Sequence, residues 1–138
     1  MSTGACLTLA SRFDQIDPAL ERLAATYDSL GYDDETREHI DLALREALAN
    51  AILHGNRTVP EKQVQVEAAI EGRELVFRVV DQGAGFDPDR VPDPREPENL
   101  LKPGGRGLLL MRAFMDRVEF HYLPGIGMEA TLRKALPH

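Results

Sequence analysis

This 138-residue sequence predicts an α+β fold, a two-layer α/β sandwich with helices packed on one face of a mixed, mainly antiparallel sheet. Three observations support that reading. The length suits one compact domain, taken as residues 1–138, with enough chain to bury a core without disulfides or structural metal. Strand-like and helix-like runs follow the order β-α-α-β-β-loop-α-β-β. Two pairs of strand-like runs are joined only by short turn segments, Glu71-Gly72-Arg73 and Leu123-Pro124-Gly125-Ile126-Gly127.

Taken in order, residues 5–11 read as a short strand. Asp17-Pro18 offers a cap and a first-turn proline for a helix carrying Leu20, Leu23, Ala24, Tyr27 and Leu30, which Gly31 ends. Asp33 or Asp34 caps a longer helix that runs to Leu53 or His54, with Gly55 as a left-handed C-terminal residue. Its residues Leu44, Ala47, Leu48, Ala51 and Ile52 line one face, and Leu42, Ala49 and Leu53 cover another, so burial on two sides is expected. Residues 63–70 and 74–80 form a hairpin that delivers the chain to Asp81. From Asp87 to Pro103 the apolar periodicity stops and five of the nine prolines gather among charged residues; a loop this long inside a domain reads as a lid, spanning about residues 87–105. A helix over 107–115 and strands over 117–122 and 128–134 complete the order, leaving one sheet face exposed and available to a second copy, a possible homodimer.

A net charge of -7 argues against a nucleic-acid or anionic-membrane surface, which would need a basic patch, and leaves docking to a protein open. Cys6 is the single cysteine, so no intramolecular disulfide is possible, and neither a signal peptide nor a membrane-length apolar run is evident. A soluble cytoplasmic protein is the expectation.

The most informative segment is Glu46-Ala-Leu-Ala-Asn50-Ala-Ile-Leu-His54-Gly55-Asn56. At about 100° per residue, Glu46 and Asn50 project from one side of the second helix with His39 on the same stripe, so an otherwise apolar helix presents a polar stripe that must meet something polar. Glu46 could be the ion-pair partner of a basic side chain, and Asn50 could make a buried hydrogen bond. Further on, Asp81-Gln82-Gly83-Ala84-Gly85-Phe86 places an acid at a strand end before two glycines, which permit close approach to a flat ligand such as a purine; alone it also describes a tight turn. Gly104-Gly105-Arg106-Gly107-Leu108 opens a helix with glycines, a setting suited to phosphate oxygens and equally to a loop end.

The order of these motifs resembles that of the GHKL ATPase superfamily with its Bergerat nucleotide-binding fold. Within it the chain is most similar, along essentially its whole length, to the small bacterial anti-sigma-factor serine/threonine kinases. The resemblance implies ATP and Mg²⁺ as cofactors, with Asn50 coordinating the metal and Asp81 holding the adenine amino group. Gly83, Gly85 and the adjoining Phe86 would shape the adenine pocket, and Gly104, Gly105, Gly107 and the amides around Leu108 would cradle phosphates. Leu108, Leu109, Leu110 and Met111 read as core packing. Glu46 separates this group from the sensor histidine kinases, which usually carry asparagine there: a carboxylate near the γ-phosphate could deprotonate a serine or threonine hydroxyl, help typically worth ~10²–10⁴-fold in rate.

Arg106 could reach the γ-phosphate or stay at the surface, and His54, near a helix end, reads as structural or as a support to the residues that touch the ligand. His39, His121 and His138 show no metal-ligand spacing. The last strand of many relatives begins Gly-Thr, the threonine assisting the adenine-binding aspartate; here the aligned pair is Gly127-Met128, and Thr131 is the residue that could substitute. The expected function is an anti-sigma regulatory factor that phosphorylates an anti-anti-sigma antagonist and sequesters a sigma factor. The alternative is a non-catalytic, ATP-gated protein-binding module of the same fold.

Overall fold

The computed structural model describes residues 4–57, 59, 61–83 and 105–137. The chain opens with strand β1 (Ala5–Ala10), then a 3₁₀ turn (Phe13–Gln15) and helices α1 (Ile16–Tyr27) and α2 (Asp34–Asn50). A π-helical turn (Ala51–Gly55) extends α2 and leads to strands β2 (Gln63–Glu71) and β3 (Glu74–Val80). Helix α3 (Gly105–Phe114) and strands β4 (Arg117–Leu123) and β5 (Gly127–Ala135) complete the chain's order.

The strands form one sheet in the order β1-β2-β3-β5-β4. The sheet is mainly antiparallel as expected, and among the described residues every hydrogen-bonded pair is antiparallel. The parallel relation allowed for in a mixed sheet exists between β3 and β4, but β5 lies between them and takes the hydrogen bonds of both. Alternation then sorts the side chains. Leu7 and Leu9, Val64, Val66 and Ala68, Leu75, Phe77 and Val79, and Met128, Ala130 and Leu132 face the helices and are all buried. The opposite face carries an ion-pair lattice in which Arg78 meets Glu71 at 2.6 Å, Arg117 meets Glu74 at 3.3 Å, and Arg133 lies 3.5 Å from both Glu74 and Glu119. Val76 and Thr131 are also buried on this face.

Helix α1 starts at Ile16 rather than at the Asp17-Pro18 boundary. Ile16 is drawn into the core, while Asp17 turns outward to meet Arg45 of α2 at 2.8 Å; proline is tolerated in this first turn because its missing N–H has no helical partner there. The helix ends at Tyr27, a turn before Gly31, and the α1–α2 connection is anchored where the Tyr32 hydroxyl donates to the Ala135 carbonyl at 2.8 Å. Asp33 caps α2 as expected, accepting from the Thr36 amide at 2.8 Å. Only one face of α2 is fully buried: Leu42 and Leu53 are 37% and 40% exposed, because the sheet lies beneath α2 and α1 and α3 flank it, leaving the top open to solvent. The far end of α2 also differs from expectation. The Asn56 amide donates to the Ala51 carbonyl at 2.8 Å, five residues back, and the left-handed residue is Arg57 (φ 51°) rather than Gly55.

Candidate functional site

Helix α3 packs antiparallel against the polar stripe of α2. At one end His39 stacks on Phe114 with ring centroids 4.4 Å apart and planes 9° from parallel. Seven residues along each helix, Glu46 meets Gly107: a Cβ on Gly107 would lie 2.9 Å from Glu46 Oε2. Glycine there lets the carboxylate approach the first turn of α3. One turn past Glu46, Asn50 stands at the end of α2 toward which the N-terminus of α3 points. Neither the Glu46 nor the Asn50 side chain has a hydrogen bond or ion pair among the described residues. Among the described residues, neither the ion pair considered for Glu46 nor the buried hydrogen bond considered for Asn50 is formed.

Below Asn50 lies a pocket of about 210 Å³, open to solvent and lined by Ala47, Asn50, Ala51, Val79, Asp81, Phe120, Met128 and Ala130. Its walls are apolar except at the two ends, Asn50 and Asp81. Asp81, at the exit of β3, is 5% exposed. Its Oδ1 accepts from the amides of Gly83 at 2.9 Å and Met128 at 3.0 Å, and its own amide donates to the Met128 carbonyl at 3.0 Å. Oδ2 accepts no hydrogen bond among the described residues and is the oxygen left for a ligand N–H.

Three glycines make this arrangement possible by close approach. A Cβ on Gly55 would sit 1.9 Å from Asp81 Oδ2, one on Gly83 would sit 1.9 Å from the Gly55 carbonyl oxygen, and one on Gly127 would sit 1.9 Å from the Asp81 carbonyl oxygen. The end of α2, the exit of β3 and the start of β5 thus touch backbone to backbone around one carboxylate. Gly55 is glycine for this contact, not for helix capping.

The structure therefore brings together Glu46, Asn50, Asp81, Gly83 and Gly107. Gly105 begins α3, and Leu108 and Met111 are buried in the core beneath it, in keeping with their reading as packing, whereas Leu109, read the same way, is 38% exposed because it lies about 100° round the helix from Leu108. Thr131 does not join them. It pairs with Arg78 on the ion-pair face of the sheet, three residues beyond Met128, and strand alternation directs it away from Asp81; the Met128 amide makes the contact instead. Gly85, Phe86, Gly104 and the proline-rich segment expected as a lid lie outside the described residues, as do the side chains of Arg106 and His54. Sequence reasoning did not single out Phe120 or Met128, although the alternation of β4 and β5 places both on the helix side. It also left Asn56 without a role.

For a divalent cation, the protein donor is the Asn50 side-chain carbonyl, with the Glu46 carboxylate one turn away adding negative charge nearby. Mg²⁺ commonly takes one or two protein oxygens, keeps several waters and completes its shell with substrate phosphates, so this arrangement fits it. Among the described residues no cluster of three or more His, Cys, Asp or Glu forms a protein-only cage. Nor is any described helix long and apolar enough to cross a membrane.

Comparison with known proteins agrees with this fold. The chain is 31% identical over 132 residues to the anti-sigma F factor of Clostridium acetobutylicum, covering 93% of this chain and 80% of that protein. It is 29% identical over 107 residues to the serine-protein kinase RsbW of Listeria monocytogenes, covering 73% and 68%. A crystal structure of the RsbU and RsbW domains of a Mycobacterium tuberculosis protein matches with a TM-score of 0.69 at 22% identity, over 97% of this chain and 32% of that longer one. The family model for the histidine kinase-like ATPase domain matches residues 9–134, and the chain belongs to that family.

Proposed function

We propose that this protein is an anti-sigma regulatory factor with ATP- and Mg²⁺-dependent serine/threonine kinase activity, which phosphorylates an anti-anti-sigma antagonist and sequesters a sigma factor in the cytoplasm. The observation that carries the catalytic half is the Glu46 carboxylate at Gly107, one turn from Asn50 and beside the N-terminus of α3, with neither side chain partnered among the described residues. The relatives named anti-sigma F factor and serine-protein kinase support the choice of substrate and partner.

In this reading the pocket takes the adenine ring, with the Oδ2 of Asp81 accepting from its exocyclic amino group and Gly83 leaving room for the ring. The phosphates run toward the first turn of α3, where unsatisfied backbone amides and the positive end of the helix dipole favour negative charge. Asn50 supplies its side-chain carbonyl to Mg²⁺, which when bound offsets charge on the phosphoryl oxygens. Glu46 accepts the proton of the substrate hydroxyl as that oxygen attacks the γ-phosphorus and ADP departs.

Purified protein incubated with radiolabelled ATP, Mg²⁺ and candidate antagonists is expected to transfer label to a serine or threonine. Glu46→Gln is expected to lower transfer by ~10²–10⁴-fold while ATP still binds. If the parent protein binds ATP yet labels no antagonist, the kinase assignment is wrong and the nucleotide serves only to gate a binding surface.

A further inference from the structure

We infer that Asn56 is a positioning residue for the base-binding end of the pocket: its buried carboxamide clasps the backbone of Gln82 and thereby sets where the Asp81 carboxylate stands. This rests on the nucleotide reading above. Asn56 is fully buried, an unfavourable place for a carboxamide unless every polar atom is partnered. Oδ1 accepts from the Gln82 amide at 2.7 Å, and Nδ2 donates to Ser11 Oγ at 2.7 Å and to the Gln63 carbonyl at 3.0 Å. The orientation is forced by chemistry, since the Gln82 N–H can only donate and the Gln63 C=O can only accept.

The two ends of this carboxamide have different jobs. Nδ2 joins structural groups: Ser11 comes directly after β1 and itself donates to the Lys62 carbonyl at 2.7 Å, and Gln63 begins β2. Oδ1 is committed wholly to the turn leaving β3. Gln82 sits between Asp81 and Gly83, and the Gly83 amide is one of the two donors that orient Asp81 Oδ1. On its exposed side Gln82 is held a second time, its Oε1 accepting from the Gln63 amide at 2.6 Å. Releasing Gln82 would let Asp81 and Gly83 shift together, so the site would lose discrimination between purines: adenine presents an amino group to Asp81 where guanine presents a carbonyl oxygen.

The test compares Asn56→Ala, Ser11→Ala and Gln82→Ala by thermal melting, by ATP and GTP affinities, and by hydrogen exchange of the Gln82 amide in the nucleotide-free protein. Asn56→Ala is expected to weaken ATP by about tenfold with GTP little changed, and to expose the Gln82 amide to exchange. Ser11→Ala should lower the melting temperature while the ATP-to-GTP ratio stays at the parent value. Gln82→Ala, at an exposed position, should fold normally and lose about threefold in the ratio. A folded Asn56→Ala with the parent ratio and a protected Gln82 amide overturns the inference, as does a Ser11→Ala that shifts the ratio equally. Should Asn56→Ala fail to fold, a freely exchanging Gln82 amide in the parent overturns it. If the parent binds no ATP, the nucleotide reading fails, and Gln82 exchange still decides whether the clasp exists.

Discussion

Replacing Gly55 with alanine should damage both stability and nucleotide binding, and the cost comes from the contact with Asp81. The new Cβ would stand 1.9 Å from Asp81 Oδ2 and 2.3 Å from its Cγ, against about 3.4 Å where ordinary contact begins, so the carboxylate must move by about 1.5 Å. A shift of that size breaks at least one of the two hydrogen bonds to Oδ1, each worth about 1.5–3 kcal/mol for a charged acceptor. Overpacking adds about 1–3 kcal/mol, and the helical preference of alanine returns about 0.5–1 kcal/mol. The net loss is about 2–5 kcal/mol, or roughly 8–20 °C in melting temperature for a chain of this length. Gly72→Ala is the control. With φ at 62° and nothing within 4 Å of its Cβ, it should cost about 1–2 kcal/mol through backbone conformation alone and leave ATP affinity unchanged. Urea titration by circular dichroism and ATP titration by calorimetry measure the two effects. A Gly55→Ala protein with the melting temperature and ATP affinity of the parent would refute the close contact and the part assigned to Asp81.

Gly107→Ala should behave in the opposite way: its Cβ meets only the flexible end of Glu46, at 2.9 Å, so stability should hold or rise by up to about 1 kcal/mol while label transfer to the antagonist falls about tenfold. Acid denaturation should report the Asp33 cap. Hydrogen bonding from Thr36 lowers the Asp33 pKa, so its contribution is present above the unfolded value of about 4 and is lost as pH falls through the lower folded value. The stability gap between the parent and Asp33→Ala should therefore be widest near neutral pH and close on acidification; a gap independent of pH would count against the cap.

What local pattern records, the sequence disclosed. Helical spacing placed Glu46, Asn50 and His39 on one stripe, and strand alternation with short turns anticipated both hairpins. Contacts between distant segments were not legible. Gly55 looks like a helix cap because nothing near it in sequence reveals that Asp81, twenty-six positions later, rests on it. Leu42 and Leu53 fit an apolar periodicity, yet spacing alone does not say that only one face of α2 meets the sheet. Thr131 illustrates a register error: a threonine close to the expected position invites substitution, but only the pairing of β5 with β3 shows which side it faces. Asn56 was overlooked because an asparagine after a helix usually belongs to a turn, and its value lies in three partners drawn from three separate strand ends.

The π turn at Ala51–Gly55 gives chain length an unusual importance here. It accommodates one residue more than an α-helical turn would, and each residue of an α-helix rotates the next by about 100°. Wound as an ordinary α-helix, the same residues would leave Glu46 and Asn50 in place while swinging Gly55 and Asn56 away from the exit of β3. Under the proposed function, phosphate chemistry and base recognition thus sit on either side of a single-residue phase setting. A one-residue insertion here, which the turn has no further slack to absorb, is expected to uncouple them more completely than most substitutions within either half.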